Sequence, residues 1–483
     1  MMSGKPWYSF ATPAIGKLVR IASRLTRHGG SAFPGKVVES FDPGFLSRTL
    51  TQLPGGVVLV SGTNGKTTTT RMVASMLGDL GMRVFTNPTG SNFTRGVVSA
   101  LLTQVDLSGR LNADIAVLEL DEAYAVHFVR QVRPRYALLL NVMRDQLDRF
   151  GEIDNTARLL GHVAETTSGT LVLNREDPRI AALAALAPQD TQVRYFGLSD
   201  DLRRFFPSDD EMTTTVAMES AGAQAGEVVE SGAVDGDDED DEDDTVISGT
   251  LDADPDARSL PSRSLPADVT LAGVGDHRAV FAMDGHEYAA EVQLEGVYNL
   301  FNAAAALAVT RAVKPDASAD RLVDAVSRVT PAFGRGEVIR VNGSPVELLL
   351  VKNPMGFRLS LASFNASAAD TMIVINDEYA DGRDMSWLWD VDFTSLRGGH
   401  ADDAAGGGVA MVSGMRAWDM ALRLGYDQVP VAAVEPNIEK ALDVFVAADP
   451  GRAKHIYCTY TAMLAVRAAL GHVTDVADAG VGR

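Results

Sequence analysis

The chain alternates short unbroken apolar runs with longer stretches in which apolar residues recur every three or four positions. The runs VVLV (57–60), DIAVLEL (114–120), YALLLNV (136–142) and GTLVLN (169–174) are of strand length. They are apolar at successive positions, the pattern of strands covered on both faces of a parallel sheet. After Lys66, residues Thr68, Met72, Val73, Met76 and Leu77 are spaced for one helical face. Helix-like segments separate the other runs, which predicts repeated β-α units. Further on come the strand-like VTLAGV and YAAEVQL, then an alanine- and leucine-rich helix from Asn299 through Ala312. Past Gly336 a second alternation begins, with VELLLV (346–351), TMIVIND (371–377), GGVAMVSG (407–414) and RAKHIYC (452–458). The expected organisation is a leader over residues 1–50, a central α/β domain over 51–335 and a smaller α/β domain over 336–483.

The first strand leads directly into Gly62-Thr63-Asn64-Gly65-Lys66-Thr67. Strand, glycine turn and helix form a phosphate cradle. Glycines let backbone N–H groups point inward, the helix N-terminus favours an anion, Lys66 adds a charge and the Thr67 hydroxyl offers a magnesium ligand. A nucleoside triphosphate is the expected ligand, held by Gly62, Thr63, Asn64, Gly65, Lys66, Thr67 and Thr68. The general pattern wants a glycine at position 60, where this chain has Val60, so the loop is the shorter GxxGKT kind. Glu119 closes the IAVLEL run, with Asp121 and Glu122 beyond it. A carboxylate there completes a Mg²⁺ site with Thr67, or is simply a solvated strand-end acid. Asn141 ends the next strand, before Arg144-Asp145-Gln146-Leu147-Asp148. Arg335, in FGRGE at the domain junction, reaches a transferred phosphate on closure or makes an ordinary interdomain ion pair.

Composition narrows the alternatives. In 483 residues no stretch approaches the roughly 20 uninterrupted apolar residues of a membrane span. The net charge of -21 argues against nucleic acid as a partner. Nine of the ten residues 235–244 are acidic. With its Ser-, Gly- and Pro-rich flanks the segment from about 207 to 268 is expected to be a disordered insertion. The basic, weakly amphipathic N-terminal segment is expected to be a helix packed on the first domain rather than one lying on a membrane. The lone Cys458 excludes an intramolecular disulfide and a cysteine zinc cluster, so no zinc is expected. It reads as a small buried residue, not a nucleophile. A cytoplasmic protein is the expectation.

SGTNGKTTT, LELDE, NVMRDQLDRFGE, GVYNLFNAAAALA and FGRGE, in that order, resemble the Mur ligases and their folylpolyglutamate synthetase relatives. VKNPMGF, NDEYADGRDMSWLWDVDF, SGMRAWDMALRL and TYTAML are similar to the domain particular to the MurT branch of that family. The resemblance implies a Mur ligase P-loop ATPase domain followed by a smaller Rossmann-like domain. It implies ATP-dependent phosphorylation of the D-glutamate α-carboxyl of the lipid II stem peptide, at the inner face of the membrane. Ammonia from a separate glutaminase subunit of the GatD type then gives D-isoglutamine. ATP and Mg²⁺ would be served by Lys66, Thr67 and Glu119, the adenine by Asn302, and the phosphates by Arg335.

The resemblance also implies that an aspartate of the DGRDMSW loop orients the partner's catalytic histidine, with Asp384 favoured and Asp381 second. Two departures stand out. Residues 145–173 contain no lysine, so the carbamylated lysine of other Mur ligases is missing, and Gln146 stands where they carry histidine. The four-cysteine zinc ribbon of many MurT-like proteins is likewise absent. Open alternatives are another ATP-dependent amino acid ligase of the Mur or folylpolyglutamate type, or a nucleotide-gated activator of a glutaminase.

Overall fold

The structure is a computed structural model. It describes residues 10–26, 33–88, 91–143, 153–205, 265–275, 278–293, 297–330, 335–363, 369–378, 381–382, 384–397 and 408–474. The Arg144–Asp148 run and the acidic run 235–244 lie outside the described residues.

In chain order the first part comprises α1 (Thr12–Thr26), α2 (Phe33–Phe41), α3 (Phe45–Leu50), β1 (Val57–Ser61), α4 (Lys66–Asp79), β2 (Val84–Thr86), α5 (Thr94–Gln104), β3 (Ile115–Glu119), α6 (Glu122–Val129) and β4 (Tyr136–Leu139). It continues with α7 (Ile153–Thr166), β5 (Thr170–Asn174), α8 (Pro178–Ala182), β6 (Gln192–Leu198), β7 (Val269–Gly275), β8 (Arg278–Met283), β9 (His286–Glu291), α9 (Val297–Val313) and α10 (Ala319–Ser327). Its nine strands form one sheet in the order β2-β3-β1-β4-β5-β6-β7-β8-β9. The pairings from β2 to β7 are parallel, and β8 and β9 are added antiparallel.

β1, β3, β4 and β5 are buried at every position, which is why each reads as a continuous apolar run. Alternate residues of β1 enter opposite cores. Val58 and Val60 join α4 and α9 on one face, while Val57 and Leu59 join α5, α6 and α7 on the other. Ala303 to Ala306 of α9 are fully or nearly fully buried, and such small side chains let this helix lie close to α4 and the sheet. Residues 33–50 pack on the first sheet. Val38, Phe45, Leu46 and Leu50 sit in the core beneath α5.

The second part comprises β10 (Arg335–Val341), β11 (Ser344–Leu350), α11 (Pro354–Ser363), β12 (Ala369–Val374), β13 (Met411–Ser413), α12 (Ala417–Tyr426), α13 (Ile438–Ala447), β14 (Ala453–Cys458) and α14 (Tyr460–Leu470). Its five-stranded sheet has the order β10-β11-β14-β12-β13, parallel except for the β10/β11 hairpin. The fold class is therefore the expected α/β, with a large sheet and a smaller one. The GGVAMVSG run gives only a three-residue strand. Gly408 there takes a φ of 119°, and a side chain on it would strike the Pro430 carbonyl.

One buried cation organises the smaller unit. Arg423 of α12 donates from Nε to the Leu388 carbonyl at 3.1 Å and from Nη2 to the Val391 carbonyl at 2.5 Å. Nη1 pairs with Asp427 at 2.7 Å, and the guanidinium lies over the rings of Trp389 and Phe393. It thus fastens the Ser386–Asp390 3₁₀ turn to α12. Arg423→Met keeps most of the apolar stem but takes the guanidinium from two carbonyls and from Asp427, which keeps its bond from Phe393 N. The expected loss is about 2–4 kcal/mol, seen as a lower thermal midpoint. An unchanged midpoint would show that this guanidinium does not secure the turn.

Candidate active site

The turn after β1 is bent through two left-handed glycines, Gly62 (φ 128°) and Gly65 (φ 87°). A Cβ on Gly62 would lie 2.9 Å from the Asn141 backbone, so only glycine fits there without displacing the neighbouring strand end. Asn141, just past β4, clamps the turn. Its carbonyl accepts from Thr63 N at 2.9 Å and its Oδ1 from Asn64 N at 2.8 Å. Its Nδ2 donates to Asn64 O at 3.0 Å and to the Tyr298 hydroxyl at 3.1 Å. The turn then opens α4, whose first N–H groups have no intrahelical partner, which makes this helix start suited to an anion.

Lys66, the first residue of α4, is 7% exposed. Its Nζ lies 3.0 Å from Asp121 Oδ1 and 3.5 Å from Glu122 Oε2, and donates to the Thr63 carbonyl at 3.2 Å. Thr67 donates its hydroxyl to Glu119 Oε1 at 2.8 Å. Glu119 is held in place by Asn87, whose Oδ1 accepts from Glu119 N and whose Nδ2 donates to Glu119 O, each at 2.9 Å. Burial pushes the Glu119 carboxyl above its ordinary range, against the Thr67 hydrogen bond and the charges of Lys66 and Lys352. A buried carboxylate and hydroxyl side by side suit a hard, oxygen-loving cation.

Asn302 of α9 is brought to the same place. A Cβ on Gly65 would fall 2.6 Å from its Oδ1, and its buried Nδ2 has no hydrogen-bond partner among the described residues. An unpartnered buried amide beside an anion cradle is a group available to a ligand. Arg335 opens β10 and thereby stands in the second sheet; its side chain lies outside the described residues. Thr68 is buried in the first turn of α4.

The second unit meets this turn directly. Asn353, after β11, donates from Nδ2 to Asn64 Oδ1 at 3.1 Å and accepts from Asn64 Nδ2 at 3.3 Å. Neither Asn353 nor Lys352 was singled out from the sequence, and neither Asn87 nor Tyr298 was given a role. The available signal was an asparagine just beyond a buried strand, twice followed by proline (Asn87-Pro88, Asn353-Pro354).

The two aspartates of the DGRDMSW loop differ in their surroundings. Asp381 is buried and accepts from Thr461 N at 2.7 Å, from the Thr461 hydroxyl and from Glu378 N at 3.1 Å. Asp384 is exposed, and its Oδ1 accepts from Ser386 N at 2.8 Å at the start of the 3₁₀ turn. That turn carries Trp389, whose ring meets Tyr426 edge-on at 5.0 Å. Met415, Trp418, Leu422 and Tyr426 follow one side of α12, each more than half exposed, and extend an apolar ridge from the loop. The opposite side, with Ala417, Met420 and Leu424, is buried. Cys458 is fully buried and burial pushes its thiol far above the ordinary range, so it is no nucleophile.

Two family descriptions match the chain: the Mur ligase middle domain over residues 60–232 and the MurT ligase C-terminal domain over residues 350–463. The lipid II isoglutaminyl synthase (glutamine-hydrolyzing) subunit MurT of Streptococcus pneumoniae is 30% identical over 457 residues, covering 92% of this chain and 93% of its own. Among solved structures, MurF from Acinetobacter baumannii superposes with a TM-score of 0.61 at 16% identity, over 89% of this chain and 78% of that one. MurF from Thermotoga maritima, in complex with ADP, gives 0.59 at 15% identity, over 88% and 82%. The structural likenesses establish a Mur ligase fold. The chain belongs to the MurT family of lipid II isoglutaminyl synthase subunits.

Proposed function

We propose that this chain is the ATP-consuming subunit of a lipid II isoglutaminyl synthase, in the synthesis of peptidoglycan. A carboxylate is a poor electrophile. In this reading an oxygen of the D-glutamate α-carboxylate attacks the γ-phosphorus of ATP, and ADP leaves. Ammonia then attacks the carbonyl of the acyl phosphate, losing a proton, and phosphate leaves with the former carboxylate oxygen. The remaining amide is D-isoglutamine. The observation that carries the reading is the P-loop turn, with Lys66 and Thr67, facing Asn353 of the MurT-type domain at 3.1–3.3 Å. Phosphoryl transfer asks mainly for positioning and charge neutralisation, and a turn closed between two units supplies both.

The residues take these roles. Backbone N–H groups of Gly62 to Thr67 cradle the phosphates and Lys66 neutralises them, leaving Asp121 and Glu122 to hold its position. Thr67 and Glu119 would hold Mg²⁺, which would screen the triphosphate charge. Asn302 offers its unpartnered amide to the nucleotide, and Arg335 approaches the phosphates from the start of the second sheet.

Ammonia comes from a second subunit, a glutaminase of the GatD type. The inert Cys458 supports a separate source, since glutamine hydrolysis of this kind needs an accessible thiolate. Asp384 orients the partner's histidine. The ridge from Trp389 to Trp418 is the docking surface, for exposed Trp, Tyr and Met are what protein interfaces bury. The reaction takes place at the inner face of the membrane, where its lipid-linked substrate lies.

The decisive assay mixes the chain with a GatD-type partner, ATP, glutamine and lipid II. Absence of an amidated product would remove the proposal. Lys66→Ala should lower amidation about 10²–10³-fold with either glutamine or added ammonia. Asp384→Asn should lower glutamine-driven amidation by up to about 10⁴-fold and leave the ammonia-driven reaction intact; loss of both would refute the triad role. Trp418→Ala with Tyr426→Ala should weaken binding to the partner about ten- to a hundredfold in a titration of the two subunits, without changing ATP binding. Undiminished affinity would place the partner elsewhere.

A further inference from the structure

The N-terminal helix α1 is anchored on one side and bare on the other. Thr12, Pro13 and Gly16 are buried. A Cβ on Gly16 would come 2.4 Å from Leu102 of α5, so the helix is seated as closely as its backbone permits. Thr12 donates its hydroxyl to the buried Asp42 at 2.5 Å, and Asp42 also pairs with Arg48. The expectation of a packed helix is met on this side.

The other side is not covered. Ile15, Leu18 and Ile21 are 40%, 66% and 53% exposed, and Phe10, just before the helix, is 68% exposed. At about 100° per residue, Ile15, Leu18, Ile21 and Ala22 fall within one arc, which Lys17 borders. Folding of the described chain therefore leaves a row of large apolar side chains in water, held rigidly by the packed face. The charge around it is segregated. Residues 1–38 contain six lysines and arginines and no aspartate or glutamate, in a chain whose net charge is -21. An apolar row bordered by Lys17, within a basic stretch of sequence and on a helix too short and too polar to span, fits a helix lying in a membrane interface.

We infer that α1 docks the protein on an anionic lipid surface, with Phe10, Ile15, Leu18 and Ile21 entering the acyl boundary and the basic residues meeting phosphate headgroups. The occupant is argued from charge. A strongly acidic chain is repelled by anionic lipid everywhere except at a basic segment, so the surface selects this face for contact. The inference deepens the proposed function and rests on it only for the substrate, which is itself lipid-linked. Each apolar residue that enters the interface and each nearby base adds to the attraction, and neither alone anchors a protein stably. Docking of this kind is reversible and salt-sensitive.

The test uses the full chain and vesicles of phosphatidylcholine with and without phosphatidylglycerol, read by co-sedimentation. The wild type should sediment with the phosphatidylglycerol vesicles, less at high salt, and poorly with phosphatidylcholine alone. Ile15→Ser/Leu18→Ser/Ile21→Ser should lower the partition about a hundredfold, with thermal midpoint and ATP binding retained. Lys17→Ala should weaken only the salt-sensitive part. In the amidating complex the triple variant should slow turnover of lipid II in vesicles and leave a water-soluble short-chain analogue unaffected. No vesicle binding by the wild type, or equal binding by the triple variant, would overturn the inference. So would a triple variant that loses its protein partner or changes its oligomeric state, since the face would then belong to a protein. Vesicle binding is read without the reaction, so failure of the wild type to amidate would sink the proposed function and leave this inference to be decided by binding alone.

Discussion

A backbone turn through two left-handed glycines leaves peptide groups with no regular partner, so they must be bonded from neighbouring elements. Here Asn141 does this. It accepts from Thr63 N and Asn64 N and donates to Asn64 O, and is itself tied to Tyr298. The clamp joins three elements that are far apart in sequence: the end of β1, the end of β4 and the start of α9. Of these, β1 and β4 are buried at every position. The position of Lys66 and Thr67, and therefore of any phosphate, follows from this packing rather than from the loop sequence alone.

The same turn is where the two units meet. Asn64 and Asn353 exchange two amide hydrogen bonds, each contributing about 1 kcal/mol in net terms. That is enough to favour this contact and too little to lock it. Within the smaller unit, Arg423 fixes the 3₁₀ turn next to Asp384, whose Oδ1 accepts from Ser386 N.

Much of the architecture was legible in the residues. β1, β3, β4, β5 and β12 were readable because burial on both faces favours largely apolar runs. β6 and β8 were not, because they mix polar and apolar residues and are only partly buried. β2 has only three residues. The cradle was readable because its chemistry is local: strand, turn, lysine and helix are consecutive. Its supports were not. Asn87 is 32 positions from Glu119, and Asn353 is 289 positions from Asn64, and nothing in a single sequence states which strand end faces which.

The sequence by itself determined an α/β protein with a phosphate-cradle turn and a small buried cysteine, because composition, periodicity and contiguous motifs carry those properties, and the MurT type of its second domain was implied by resemblance. Only the tertiary structure decided the rest. It separated a buried, three-times-bonded Asp381 from an exposed Asp384, two acids that look alike in DGRD. It turned one side of α1 into the core and left the other in water. It brought Lys66 between Asp121 and Glu122 and set Asn353 against Asn64. Such pairings depend on the order and register of strands, which are fixed by how whole faces bury together and by no residue alone.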